Sequence, residues 1–207
     1  MLTNFEVIIW DFDGVIIDSD EIRTNSFKET FKEFGKRNVD KLIEYHKLNG
    51  GLSRYDKVDF FFKKIINQNI SDSEFISRVN LYSKFCLERL CDKSLLINDS
   101  LDFIKVNYKN YLFHIASASD EMELRNICKE LDISHFFRSI KGSPTTKVDN
   151  VKDILKNNNY STHKCCLIGD SNNDMDAANI NGITFIGYNN QSLKTNNIYI
   201  EKFNLYL

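Results

Sequence analysis

The chain has one proline, one tryptophan and eight glycines in 207 residues. A single proline excludes a proline-rich linker. No apolar stretch approaches the roughly 18 residues that a membrane-spanning helix needs, and no internal repeat is visible. Positive charge is neither in excess nor clustered: 27 Lys and Arg face 29 Asp and Glu, for a formal net charge of −2. This speaks against a nucleic-acid partner or a membrane surface. The cysteines, Cys86, Cys91, Cys128, Cys165 and Cys166, are odd in number and form no Cys-x-x-Cys pair. Free thiols in a reducing compartment follow, and the adjacent pair Cys165-Cys166 reads as two small residues entering a buried strand. The first strand begins almost at once, so no signal peptide is expected and the expected location is cytoplasmic.

What is present is ordinary globular material, 42% hydrophobic and 27% charged, enough for one sizeable domain or a core with a smaller insertion. The most informative segment is Val7-Ile8-Ile9-Trp10-Asp11-Phe12-Asp13-Gly14. A short β-branched run fits a fully buried strand better than a helix. It ends in two aspartates spaced two apart, whose side chains point the same way if strand geometry persists. Two negative charges at one spot are unfavourable unless a cation, a shared proton or hydrogen bonds offset them. A metal ion and an anionic substrate are the simplest resolution.

Residues from about 20 to 92 read as helical. Ser19 or Asp20 could cap a helix carrying Ile22, Phe27, Phe31 and Phe34 and ended by Gly35. Val58, Phe61, Phe62, Ile65 and Ile66 follow amphipathic helical spacing within Tyr55 to Asn67, and Phe75, Val79, Tyr82 and Cys86 form another stripe. Leu101, Ile104 and Tyr108 close this half. The second half alternates. Strands are expected at Tyr111 to Ala116, Ser139-Ile140, Cys165 to Ile168, Ile183 to Ile186 and Ile198 to Ile200, with helices between them at Met122 to Leu131, Val148 to Leu155 and Met175 to Ile180. Such alternation implies a doubly wound, mainly parallel (Rossmann-like) α/β sheet with helices on both faces. The expected division is an α/β core of residues 1–18 and 95–207 and an inserted all-helical domain of residues 19–94.

In open α/β sheets ligands bind beyond the carboxyl ends of the strands. The first strand ends in Asp11 and Asp13, the second in Ser117-Ala118-Ser119, and a later one in Gly169-Asp170-Ser171 with Asp174 one turn on. Lys147 opens a helix behind Gly142-Ser143-Pro144. Three acids, a hydroxyl and an ammonium would therefore converge on one edge. Lys141 competes with Lys147 but precedes the Gly-Ser-Pro turn. Ser119 competes with Ser117, which lies nearer the strand end. Asp174 could simply be an acid in a helix's first turn, and Asp18 reads as a cap or hinge residue.

Asp11-Phe12-Asp13-Gly14-Val15, the strand ending in Ser117, Gly-Ser-Pro-Thr-Thr-Lys147 and Gly169-Asp170-Ser171-Asn172-Asn173-Asp174 together resemble, in order, the four motifs of the haloacid dehalogenase superfamily. The helical insert resembles the cap of its phosphoglycolate phosphatase and β-phosphoglucomutase subfamily. The resemblance implies a phosphoric monoester hydrolase acting through an aspartyl-phosphate. Asp11 would be the nucleophile. Asp13 would be the acid and base, with a pKa raised by neighbouring carboxylates. Ser117 and the amide of Ala118 would bind phosphate oxygens, and Lys147 would balance charge. Mg²⁺ would be held by Asp11, the main-chain carbonyl of Asp13, and Asp170, with Asp174 a further ligand or a support. Arg54, in Gly50-Gly51-Leu52-Ser53-Arg54, would meet a substrate anion, although an ordinary capped helix start with a solvated arginine reads the residues equally well. His46 and Tyr55 flank that loop without an assigned role. The implied partner is a small phosphorylated metabolite, a sugar phosphate or phosphoglycolate-like ester, with the chain a monomer or weak homodimer. A β-phosphoglucomutase-like mutase is the nearest alternative, although glycine stands at position 169 where the mutase pattern has an acid. A non-catalytic phospho-aspartate receiver or binding module is the alternative of another class.

Overall fold

The computed structural model describes residues 2–195 and 197–206. Six parallel strands form one sheet: β1 (Val7–Trp10), β2 (Leu112–Asp120), β3 (Ser139–Ser143), β4 (Cys165–Gly169), β5 (Thr184–Tyr188) and β6 (Ile198–Ile200). Their spatial order is β3-β2-β1-β4-β5-β6. The order reverses between β1 and β4, which is where a crevice opens in doubly wound sheets.

The apolar strands are explained by burial on both faces. Ile8, Trp10, Phe113, Ile115, Cys166 and Ile168 share one side, and Val7, Ile9, Ala116, Cys165 and Leu167 share the other. Trp10 is central, with ring centroids of Phe103, Phe113 and Phe203 at 6.0, 5.6 and 5.3 Å. Burying each such ring contributes on the order of 2–3 kcal/mol. The helices in the alternating half are α5 (Asn98–Asn107), α6 (Glu121–Glu130), α7 (Lys147–Asn157) and α8 (Asn172–Ile180). The two adjacent cysteines are buried thiols in β4, as the strand reading expects.

Between β1 and α5 the regular elements among the described residues are helical, chiefly α1 (Asp20–Phe31), α2 (Lys36–Leu48), α3 (Arg54–Phe60) and α4 (Asp72–Leu90). Aromatic contacts join them, with Phe27 4.1 Å from Tyr82 and Phe31 4.3 Å from Phe61 between ring centroids. The expected single helix over Tyr55 to Asn67 is instead α3 followed by a π-helical turn, Phe61–Ile66. The wider turn rotates less per residue, so the consecutive Phe61 and Phe62 are both buried. β2 also runs longer than the expected Tyr111 to Ala116, with a register irregularity against β3 between Ala116 and Asp120.

Register sets up the site. Trp10 lies beside Ile115 on one flank and Ile168 on the other. The residues just past those positions, Asp11, Ser117 and Asp170, therefore emerge at one edge.

Candidate active site

Asp11 follows the last residue of β1 and stays tied to the sheet, its amide donating to the Ile168 carbonyl at 2.9 Å. The Lys147 ammonium lies 2.8 Å from Asp11 Oδ1 and also hydrogen-bonds Asp174 Oδ1. Lys147 is thus the lysine that reaches the first strand's tip. Thr146 caps its helix by accepting from the Asp149 amide, which fixes the side chain at the helix entrance. Burial disfavours the Lys147 charge, but Asp11 and Asp174 outweigh it and raise the pKa.

The sequence-identified acids come together. Carboxylate oxygens of Asp11, Asp170 and Asp174 lie within 4.8 Å of one another. Burial pushes Asp11 well above the usual carboxylate range, with Asp174 and Asp170 adding to the shift and Lys147 opposing it. Burial and Asp174 similarly push Asp170 to about 7. Three carboxylates share one ammonium, so a hard cation with oxygen ligands fits the unbalanced charge. The two late acids differ. Asp174 is buried; its Oδ1 faces Lys147, and its Oδ2 accepts from the Ser171 amide at 3.0 Å and hydroxyl at 2.6 Å in a capping box. Asp170 is less enclosed, and its carboxylate lies close against Gly14. Gly14 has φ +76, and a Cβ there would stand 2.0 Å from Asp170 Oδ2. Only glycine satisfies both demands.

Asp13 departs from expectation. Its Oδ1 accepts from Ser19 Oγ at 2.5 Å and Arg23 Nε at 2.8 Å. Its Oδ2 accepts from Ser119 Oγ at 2.7 Å and Arg23 Nη2 at 3.3 Å. Burial opposes ionisation here too, but the Arg23 guanidinium and the two hydroxyls prevail and hold the pKa at about 2. The expected raised pKa is therefore corrected: the sequence reading weighed neighbouring carboxylates and missed a buried arginine. Ser19 spends its hydroxyl on Asp13 rather than on a helix-capping bond.

Arg54 is buried rather than solvated. It lines the cavity, yet its guanidinium grips Glu123 through two bonds of 2.5 Å and also donates to Ser83. Glu123 in turn accepts from Arg23 at 3.0 Å. A chain of charged groups, Arg54–Glu123–Arg23–Asp13, buried up to the half-buried Asp13, thus links the helical block to the end of β1. Neither Arg23 nor Glu123 was singled out from the sequence. The available signal was Arg23 lying on the Phe27 face of α1, where an arginine has no business unless paired. Tyr55 donates to Asp120 at 2.8 Å, a second bond between the block and the strand ends. A third contact is steric: a Cβ on Gly51 would meet Asn173 Cβ at 2.4 Å.

These groups enclose a cavity of about 170 Å³ between the sheet edge and the helical block. Asp11, Asp13, Ser117, Ala118, Lys147 and Asp170 line its floor. Ser117 is buried, and its Oγ accepts from the Ser119 amide at 3.1 Å. Lys57, Tyr82 and His46 line it from the block.

A buried strand-end carboxylate beside a lysine and two further acids is a site that can hold a cation and an anionic group. Residues 8–188 match the family model described as haloacid dehalogenase-like hydrolase, and the chain belongs to that family. A phosphoglycolate phosphatase of Colwellia psychrerythraea (strain 34H) is 23% identical over 195 residues, covering 89% of this chain and 86% of that protein. Among solved structures, a β-phosphoglucomutase from Clostridium difficile aligns with a TM-score of 0.80 at 20% identity, over 98% of this chain and 93% of the other. A predicted phosphoglycolate phosphatase from Haemophilus somnus 129pt aligns at 0.74 and 16% identity, over 100% and 98%. The superfamily resemblance read from the four motifs agrees with these comparisons, as does the expectation of a phosphatase. No described helix is long and apolar enough to cross a membrane.

Proposed function

We infer that this enzyme hydrolyses a small phosphorylated metabolite, a sugar phosphate or phosphoglycolate-like ester, through an aspartyl-phosphate on Asp11. One observation carries the reading: Asp11 sits at the end of β1 with Lys147 Nζ 2.8 Å away and Asp170 and Asp174 beside it. The cavity supports a small substrate. A volume of about 170 Å³ suits an ester of a few carbons.

In the first step an oxygen of Asp11 attacks phosphorus, the bond to the leaving oxygen breaks, and that oxygen takes a proton from Asp13. In the second, water attacks phosphorus, gives a proton to Asp13, and the Asp11–phosphorus bond breaks to release phosphate. Ser117 and the Ala118 amide would hydrogen-bond phosphoryl oxygens, and Lys147 would neutralise the charge they gather. Arg23 keeps Asp13 ionised but a weak base, with its pKa at about 2, so it takes the water's proton in the second step only as its contact with Arg23 loosens. To serve as the acid of the first it must loosen from Arg23 as substrate enters. Asp11, Asp170 and the main-chain carbonyl of Asp13 would hold Mg²⁺, with Asp174 orienting Lys147 behind them; the ion would supply charge neutralisation at the phosphoryl group. Residues 19–94 would act as a cap that excludes water.

Phosphate release from a panel of phosphomonoesters, with Asp11→Asn as control, tests this reading. Release that Asp11→Asn abolishes is the expected result. Isomerised sugar phosphate without release would favour the mutase alternative, and undiminished release by Asp11→Asn would refute the nucleophile.

A further inference from the structure

The backbone ladder that ties β1 to β4 ends at the edge of the site. Trp10 pairs with Ile168, and the Asp11 amide donates to the Ile168 carbonyl at 2.9 Å. Past that bond, no backbone hydrogen bond joins Gly14 to Asp170 among the described residues. The two are nevertheless in close contact, since a Cβ on Gly14 would stand 2.0 Å from Asp170 Oδ2. The Asp11 and Asp170 carboxylates also lie within 4.8 Å of each other. Like charges at that separation repel, so the segments that carry them need another restraint.

Two adjacent side chains in the loop after β5 supply it. Asn189 Nδ2 donates to the Gly14 carbonyl at 2.8 Å, and Asn190 Nδ2 donates to the Asp170 carbonyl at 2.7 Å. β5 pairs with β4 and not with β1, so Asn189 reaches past β4 to the loop beyond the first strand. Asn190 Oδ1 accepts from the Ser192 amide at 3.1 Å and hydroxyl at 2.8 Å. That turns its NH₂ group toward Asp170. Asn189 has φ +55, a left-handed conformation that asparagine tolerates better than most side-chain-bearing residues. A turn alone accounts for an asparagine there. It does not account for a side chain spent on a carbonyl 175 residues away.

We propose that Asn189 and Asn190 are positioning residues of the cation site: by gripping the Gly14 and Asp170 carbonyls from one loop, they hold the Asp170 carboxylate in place beside Asp11. This rests on the reading of Asp11 and Asp170 as ligands of a divalent cation. Neither asparagine is among the described residues that line the cavity, so both act through the backbone of the residues they grip. Groups behind a metal ligand raise affinity by fixing its orientation before the ion arrives.

The test is titration of the protein with Mn²⁺, a hard cation that takes oxygen ligands. Electron paramagnetic resonance counts the free ion, and Mg²⁺ serves as competitor. Asn190→Ala should weaken Mn²⁺ binding about ten- to hundredfold, the loss typical of groups that orient a metal ligand. Asn189→Gly keeps a residue that accepts positive φ and removes only the donor; it should lose about tenfold. Asn190→Asp has the shape of asparagine without its N–H, and its added negative charge alone would favour a cation. Weaker binding in that variant is expected, which assigns the effect to the donor. Asn189 is exposed and Asn190 half-buried, so the core is untouched. The metal-free variants should keep the urea midpoint of the unmutated protein. Mn²⁺ affinity within about threefold of the unmutated protein in Asn189→Gly and Asn190→Ala, or tighter binding in Asn190→Asp, would overturn the role. So would a lowered urea midpoint with unchanged Mn²⁺ affinity. Failure of the cation reading looks different: the unmutated protein binds no Mn²⁺, or Asp170→Asn binds it equally well, and either result removes the site together with this role.

Discussion

Arg54 and Glu123 meet fork to fork, two guanidinium nitrogens each 2.5 Å from a carboxylate oxygen, with both side chains almost fully buried. The pair joins α3 of the helical block to α6 of the sheet domain across 69 residues of chain. Removing one partner of a buried pair strands the other, typically at a cost of about 3–5 kcal/mol. Glu123 also holds Arg23, so its loss strands two guanidiniums. Glu123→Gln should therefore lower stability by at least about 3 kcal/mol in urea melts. A change below about 1 kcal/mol would show that the pair behaves as a solvated surface contact.

Arg23 sets the protonation of Asp13. An opposite charge in contact lowers a carboxyl pKa by about 1–3 units, so Arg23→Gln should let Asp13 rise by about that much from its value near 2. Carbon-13 NMR of the labelled carboxyl follows the titration directly. An unmoved midpoint would assign the low pKa to Ser19 and Ser119 instead.

Much of this was legible beforehand. Val7 to Trp10 fits a buried strand better than a helix, and the acids at its end and at Gly169-Asp170 needed nothing more than parallel pairing to meet. Lys147 was separable from Lys141 because the Gly-Ser-Pro turn places it at a helix entrance. The long-range polar partners were not legible. Glu123 reads as a first-turn helix acid three residues after Asp120, and nothing local says that Arg23, 100 residues earlier, will reach it. Likewise Lys57 reads as an ordinary polar helix position; only the packing of α1, α3 and α4 encloses it. The low pKa of Asp13 is hidden for the same reason, since Arg23 turns inward from α1 and Ser119 comes from β2, 106 residues on.

Gly14 is the backbone support of the proposed cation site. Gly14→Ala places a methyl where Asp170 Oδ2 now stands and forces a left-handed residue to carry a side chain. Disturbing a group that positions a ligand typically costs 10–100-fold in metal affinity. The Mg²⁺ concentration for half-maximal phosphate release should rise by about that factor. An unchanged Mg²⁺ dependence would separate Asp170 from the ion.

Lys57 should give ligand-free protein a distinctive pH response. Burial and Arg23 lower its pKa to about 7 from the usual 10.5. Between those values the unfolded chain binds the proton and the folded chain does not, so stability rises with pH. The penalty is full below about pH 7 and is relieved toward pH 10. Lys57→Met lacks it. The variant should be the more stable protein at pH 7, with its advantage shrinking by roughly 1 kcal/mol per pH unit above that. Parallel stability curves for the two proteins would mean the ammonium is already compensated.

The central claim is that Asp11 carries the phosphoryl group. Enzyme mixed with a hydrolysable ester, quenched in acid within milliseconds and treated with borohydride, converts an acyl phosphate to an alcohol that peptide mass spectrometry locates. The account predicts homoserine at position 11 and no other modified acid. Phosphate release with position 11 unmodified, or reduction at Asp13 or Asp170 instead, would contradict it.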